Sequence, residues 1–285
     1  MPQTPVPLVL AAEIERNVAA ALLEDIGSGD LTALLAPAGH RAIGNVVSRE
    51  EAILCGTAWF DAVFHRIDPQ ACIRWRAHDG DTIKANQTLC SIQADTRALL
   101  TAERTALNFL QLLSGTATLT RRYVDAVAGT RARIVDTRKT LPGLRQAQKY
   151  AVRCGGGTNH RMGLYDGVLV KENHILAAGG VTEALERARR IACGAAFIEI
   201  EVETLEQLAE ALDAGAKLIL LDNMNLDQMR QAVGLTAGRA ELEASGGVRL
   251  ETVRAIAETG IDRISIGSLT KDVRAIDLSL RHVEQ

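Results

Sequence analysis

Asp136-Thr137-Arg138-Lys139-Thr140-Leu141-Pro142-Gly143-Leu144-Arg145, Gly155-Gly156-Gly157-Thr158-Asn159-His160-Arg161 and Asp166-Gly167-Val168-Leu169-Val170-Lys171 follow one another through the middle of the chain. Their cationic and hydrogen-bonding side chains sit at the ends of apolar runs or beside glycine turns. A short aliphatic run that ends in charge reads as a buried parallel strand delivering a group to a site. So many positive donors in so few residues point to a small substrate rich in negative charge.

The same rhythm continues outward. Strands are predicted over Ala132–Asp136, Gly167–Val170, Phe197–Val202, Leu218–Asp222, Leu242–Ala244 and Arg263–Ile266. Helices are predicted between them over Val181–Ala192, Leu205–Ala214, Leu226–Val233 and Leu250–Glu258. Short strands with crossover helices make parallel units. Six of them predict an incomplete α/β barrel of six or seven strands. An open doubly wound sheet is the alternative. The barrel is preferred because all six strand ends carry polar or glycine motifs, which an open sheet would gather at one switch point.

The first part of the chain reads differently. A helix over Ala11–Leu23 stops at Asp25-Ile26-Gly27-Ser28-Gly29-Asp30. Ile43–Ile53 and Cys72–Ile92 carry short strands broken by turns, with helices over Thr57–Ile67 and Thr101–Ala128. This predicts an N-terminal α+β open-faced sandwich over residues 1–115 and a barrel over residues 116–271. The tail, residues 272–285, has helical spacing from Val273 to Leu280 and is expected to complete the first domain as a helix. Met1 to Pro7 lacks a basic region followed by an apolar core, and is expected to be a loose terminus rather than a secretory signal.

Composition bounds the function. The chain has 285 residues, 47% hydrophobic, with a formal charge of −3. No apolar run is long enough to span a membrane. Aromatics are only 3%, so stacking on nucleobases is not expected, and the positive charge belongs to a site rather than to a surface. The five cysteines, Cys55, Cys72, Cys90, Cys154 and Cys193, are odd in number and contain no Cys-x-x-Cys pair. They are expected to be packing residues of a cytoplasmic protein.

The strand ends supply an inventory of groups. Arg138 and Lys139 follow the first, and His160 and Arg161 precede the second, which ends at Lys171. Glu199 and Glu201 come from the third, Asp222 and Asn223 from the fourth. Ser245-Gly246-Gly247 and Gly267-Ser268 follow the last two, each before a helix, where backbone N–H groups bind phosphate. Glu201 and Asp222, ending consecutive strands, suit a hard cation such as Mg²⁺ held jointly with phosphates. Glu199 shares the alternation and competes with Glu201 for that role. His174 is expected to cap or pack. Arg104, on the long helix, is on its own only a helical arginine.

These motifs resemble, over almost the whole chain, the quinolinate phosphoribosyltransferases, also called carboxylating nicotinate-nucleotide pyrophosphorylases. The resemblance runs from Glu24-Asp25-Ile26-Gly27-Ser28-Gly29-Asp30-Leu31-Thr32 to Ser265-Ile266-Gly267-Ser268-Leu269-Thr270. Its most specific parts are Asp136 to Thr140, Gly155 to Arg161, and Leu221-Asp222-Asn223. It implies transfer of phosphoribosyl from 5-phosphoribosyl 1-pyrophosphate to quinolinate with loss of CO₂, giving nicotinate mononucleotide and pyrophosphate. Arg138, His160, Arg161 and Lys171, with Thr137 in the same motif, would line the quinolinate pocket. Lys139, Lys171, Glu201 and Asp222 would carry the catalysis and hold the donor and its Mg²⁺, Glu201 and Asp222 as ligands. Ser245, Gly246, Gly247, Gly267 and Ser268 would bind the 5′-phosphate. Arg104 would reach across a homodimer into the neighbouring site; assembly beyond the dimer stays open. Glu172 and Ser268 depart from the Asp and Ala common in relatives. The alternative acceptors are nicotinate and that of the molybdenum-transport paralogue.

Overall fold

The computed structural model describes residues 8–37 and 39–283; the terminus expected to be loose lies outside them. The chain opens with α1 (Leu8–Ile26), β1 (Arg41–Ser48), β2 (Ala52–Ile53), α2 (Thr57–Ile67), β3 (Cys72–Trp75), β4 (Thr82–Ile83), β5 (Thr88–Asp95) and α3 (Thr96–Ala126). It continues with β6 (Arg133–Val135), α4 (Arg145–Cys154), β7 (Val168–Val170), α5 (Glu172–Ala178), α6 (Val181–Ile191), β8 (Ile198–Val202), α7 (Leu205–Asp213) and β9 (Leu218–Asp222). It ends with α8 (Leu226–Thr236), β10 (Glu241–Ser245), α9 (Leu250–Ala257), β11 (Arg263–Ser265), α10 (Ser268–Lys271) and β12 (Leu278–Val283).

Two compact units form. One comprises Met1–Leu119, Leu141–Gly156 and Asp272–Gln285; the other comprises Thr120–Thr140 and Gly157–Lys271. Residues 141–156, expected within the barrel, therefore belong to the first unit. They carry α4, whose Ala147 and Ala151 are buried one turn apart in the first unit's core.

The first unit holds an antiparallel sheet in the order β12-β1-β5-β3 and a small β2-β4 ladder. β12 corrects the helix expected at the tail. It pairs with β1 from Ile43↔Val283 to Ser48↔Leu278. Leu278 and Leu280 are buried while Arg281 is exposed, the period of two that a half-buried strand shows. The apolar spacing allowed either reading, and the open edge of β1 selects the strand. Trp59, Phe60 and Phe64 of α2, and Leu107, Leu110 and Leu113 of α3, are fully buried in this unit. Each such side chain contributes roughly 2–3 kcal/mol of apolar burial.

The second unit holds a six-stranded sheet in the order β6-β11-β10-β9-β8-β7, and all five ladders are parallel. Read from the other side, β7, β8, β9, β10 and β11 follow chain order, and the first strand, β6, lies beside the last. A doubly wound sheet would reverse direction at a switch point. This order is that of a barrel left open between β6 and β7. Caps fix where the crossover helices begin. Thr204 Oγ1 accepts the Gln207 N–H at 3.2 Å ahead of α7, and Asn225 and Gln228 form a capping box ahead of α8. All five cysteines are free, and no helix among the described residues is long and apolar enough to cross a membrane.

Asp61 of the first unit is partly buried. Trp75 donates its indole N–H to Asp61 Oδ1 at 2.8 Å. Burial nevertheless pushes the Asp61 carboxyl up from 3.8 to about 6, with the charge of Asp79 adding to it. A folded-state value above the unfolded one stabilises fully below the unfolded value and is lost as pH rises through the folded one. Asp61→Asn removes this dependence. Its stability relative to the parent, measured by urea unfolding, should therefore rise by about 3 kcal/mol between roughly pH 4 and 7. Parallel pH profiles for the two proteins would contradict it.

Candidate active site

In the second unit every parallel strand ends on the same edge of the sheet, which gathers the groups that follow β6 to β11. Asp136, next after β6, is fully buried. Its Oδ1 accepts the His160 N–H at 2.8 Å and its Oδ2 accepts from Asn159 Nδ2 at 2.6 Å. Thr158 bridges to Val135 in parallel fashion. The segment after the triple glycine is thereby stitched to the end of β6. Two residues on, Thr137 Oγ1 accepts the Lys139 N–H at 3.0 Å, and the Lys139 carbonyl accepts from Thr270 Oγ1 at 2.8 Å. A Cβ on Gly267 would stand 3.1 Å from Lys139 Cδ, so Lys139 lies across the Gly267–Ser268 turn.

Charge is concentrated here. Arg161 donates from Nη1 to the Gly167 carbonyl at 3.0 Å. Burial first, and the neighbouring Arg138 guanidinium second, hold Arg161 below the ordinary arginine range. Two cations kept close together make a ready seat for an anion. Lys171 Nζ pairs with Glu201 Oε2 at 2.6 Å. Burial first, then the Glu201 charge, push the Asp222 carboxyl up, while Lys171 and Lys139 pull it down. Arg138, Lys139, Arg161, Lys171, Glu201 and Asp222 therefore lie in one electrostatic cluster. His174, expected to cap or pack, accepts the Lys171 N–H at its Nδ1, 2.9 Å away.

The two glycine turns differ in how tightly they are held. Gly246 adopts φ +100°, and a Cβ there would overlap Asn223 Oδ1. Asn223 itself takes φ +53°, a conformation asparagine tolerates, and donates its N–H to the Ser245 carbonyl at 3.0 Å. Gly247 has φ +60° with open space around its Cα. Ser268 Oγ is buried and makes no hydrogen bond among the described residues.

Beneath this edge lies a layer of charge that the sequence reading left largely unread. Glu199 feels the charges of Arg161 and Lys171, but its Oε2 lies 2.6 Å from His160 Nε2. Glu243 on β10 lies 3.9 Å from the same nitrogen and pairs at 2.8 Å with Arg263, its register neighbour on β11. Both carboxylates are fully buried, and burial pushes each up to about 7. Glu243 and Arg263 were not singled out from sequence. The available signal was a charge inside an apolar strand, Leu242-Glu243-Ala244, at a position alternating with its neighbours. Arg104 is exposed on α3 in the first unit and makes no hydrogen bond or ion pair among the described residues.

Among the described residues, two groups of three have donor atoms within 4.8 Å of one another, His160–Glu199–Glu243 and Cys55–Asp79–Cys154. Asp79 in the second already accepts the Gly56 and Thr57 N–H groups and the Tyr150 hydroxyl. Glu201 and Asp222 form a pair outside both groups. A pair of carboxylates fits a cation that takes its remaining ligands from phosphates.

Comparison with known proteins covers both parts of the chain. The quinolinate phosphoribosyl transferase N-terminal domain matches residues 30–114 and the C-terminal domain of that family matches residues 116–281. A probable carboxylating nicotinate-nucleotide pyrophosphorylase of Bacillus subtilis is 43% identical over 258 residues, covering 90% of this chain and 89% of its own. The carboxylating nicotinate-nucleotide pyrophosphorylase of Mycobacterium leprae is 46% identical over 269 residues, covering 91% and 94%. The solved nicotinate-nucleotide pyrophosphorylase of Francisella tularensis superposes with a TM-score of 0.94 at 42% identity, covering 98% of each chain.

The unequal turns predict unequal costs. Gly246→Ala meets both positive φ and an occupied space, and should cost about 2–3 kcal/mol. Gly247→Ala meets only positive φ and should cost about 1 kcal/mol. Urea unfolding of the two variants checks the order; equal losses would contradict it.

Proposed function

The chain belongs to the quinolinate phosphoribosyltransferase family, and from that premise we propose how its strand-end cluster divides the work. The reaction joins quinolinate to 5-phosphoribosyl 1-pyrophosphate and releases pyrophosphate and CO₂, leaving nicotinate mononucleotide. It is the entry of the pyridine ring into NAD biosynthesis. The observation that carries the assignment is a convergence of cations: the Arg138 guanidinium acts on Arg161, and Arg161 and Lys171 both act on Glu199. Quinolinate bears two adjacent carboxylates, and a guanidinium fork meets a carboxylate at two points. Arg138, Arg161 and Lys171 hold the acid, with His160 and Thr137 in the wall around it. Arg104, exposed and without a partner among the described residues, adds a further cation from the second subunit of a homodimer.

Lys139, the Ser245–Gly246–Gly247 turn and the Gly267–Ser268 turn bind the donor's phosphates. Glu201 and Asp222 would hold Mg²⁺, because the Glu201 charge disfavours the Asp222 carboxylate and a cation between them would relieve that. Mg²⁺, when bound, supplies charge neutralisation for the departing pyrophosphate. Lys139 stabilises the same developing negative charge. As pyrophosphate leaves, the ribose ring becomes cationic, and the Glu201 carboxylate stabilises it. The arginines hold the pyridine nitrogen against the sugar carbon, which is an orientation effect. The pyridinium so formed accepts the electron pair of the breaking C–CO₂ bond, CO₂ departs, and the vacated ring carbon takes up a proton from water. No general base is needed for the attack, since the ring nitrogen carries its own lone pair. The free thiols support a reducing, cytoplasmic setting.

A pyrophosphate-release assay tests the assignment. Release should require both quinolinate and Mg²⁺. Equal release with nicotinate, or release without an acceptor, would contradict it. Arg104→Ala should lower kcat/KM for quinolinate by roughly 100-fold, the loss of one charged two-point contact. Mixing Arg104→Ala with Lys139→Ala should restore about a quarter of the parent's sites, because a hybrid dimer keeps one intact site of two. No restoration on mixing would place Arg104 in its own subunit's chemistry.

A further inference from the structure

The segment Thr158–Arg161 is held from two sides. Asp136 fixes its backbone and the Asn159 side chain, as described above. The His160 ring fixes the rest. Its Nδ1 accepts the Arg161 backbone N–H at 2.8 Å. A backbone amide can only donate, so Nδ1 carries no proton there. The ring proton is therefore on Nε2, pointing at Glu199 Oε2 2.6 Å away. Phe197 closes the ring in edge-on, with centroids 5.1 Å apart. Glu243 stands behind the same nitrogen, and Arg263 neutralises Glu243. Both ring nitrogens are thus engaged inside the protein. A partner that selects one imidazole tautomer also selects the ring's orientation.

We propose that Glu199 is a positioning residue for the acceptor site: it holds His160 as the Nε2–H tautomer, which anchors the Arg161 backbone and so aims the Arg161 guanidinium at the acceptor's carboxylates. Glu243, balanced by Arg263, backs this arrangement by facing the same proton. His160 acts on the acceptor through Arg161 rather than by spending a ring nitrogen on it. The inference rests on the assignment of Arg161 to the quinolinate pocket.

Two variants and one spectrum test it. Long-range ¹H–¹⁵N correlation on the parent should show His160 with a pyrrole-type Nε2 and a pyridine-type Nδ1. An Nδ1–H tautomer in the parent would overturn the proposal without any variant. Glu199→Met keeps the volume and removes the acceptor. It should mix the His160 tautomers and raise KM for quinolinate about tenfold or more, with KM for phosphoribosyl pyrophosphate within about twofold. Glu199→Gln keeps an accepting oxygen and should retain both the tautomer and the low KM. If Glu199→Gln is as defective as Glu199→Met, or if both substrates' KM values rise together, the positioning role is wrong. Arg161→Ala separates the two claims. If it leaves KM for quinolinate unchanged, the pocket assignment fails. If it raises that KM while Glu199→Met does not, only the positioning inference fails.

Discussion

A parallel sheet ends all its strands on one edge, and this constraint makes the site. β6 to β11 are short, and they carry the site's groups at or near their ends. What they do is bring Arg138, Lys139, Lys171, Glu201, Asp222 and two glycine turns, scattered over more than a hundred residues of chain, onto one rim. The chain-ordered arrangement with β6 beside β11 closes that rim enough for the groups to feel one another's charge. The depressed Arg161 and the raised Asp222 are the electrostatic trace of that convergence.

Strength and visibility do not coincide within the site. Lys171–Glu201 is a close ion pair, but the lysine side chain is half exposed. Such a pair contributes about 1 kcal/mol or less. The buried groups decide more. A carboxylate taken out of water costs several kcal/mol unless its oxygens are met by donors. Asp136 is met by a backbone N–H and an amide and Glu199 by His160, while Glu243 has the charge of Arg263 2.8 Å away as an ion pair without a hydrogen bond. Removing one partner leaves the other uncompensated, so the Thr158–Arg161 turn and the strands beneath it are held in a single arrangement. A rigid wall of that kind lets the exposed cations act by placement rather than by search.

Much of this was legible in the residues. Thr57–Ile67 and Leu218–Asp222 have the bounds that apolar period and turn residues suggest. Three features were not, each for a physical reason. Ile276, Leu278 and Leu280 satisfy a strand's period and fall within a helical one, and only the unpaired edge of β1 chooses between them. α4 is polar along most of its length, and its buried residues, Ala147, Gln148, Lys149, Ala151 and Val152, are mostly small or polar and leave a weak apolar signal. Glu243 and Arg263 look like surface charges in sequence, because a strand does not announce which of its faces is enclosed. Their pairing depends on the β10–β11 register, which is a property of the assembled sheet.

The central claim is that the rim's cations converge on an acid with two carboxylates, opposite the residues that receive the phosphoribosyl donor. A crystal structure of the protein with quinolinate tests it most directly. The account predicts the acid's carboxylates against Arg138, Arg161 and Lys171, with its ring nitrogen facing Glu201 and Asp222. Quinolinate seated away from the strand ends, or guanidiniums turned from it toward bulk water, would contradict it.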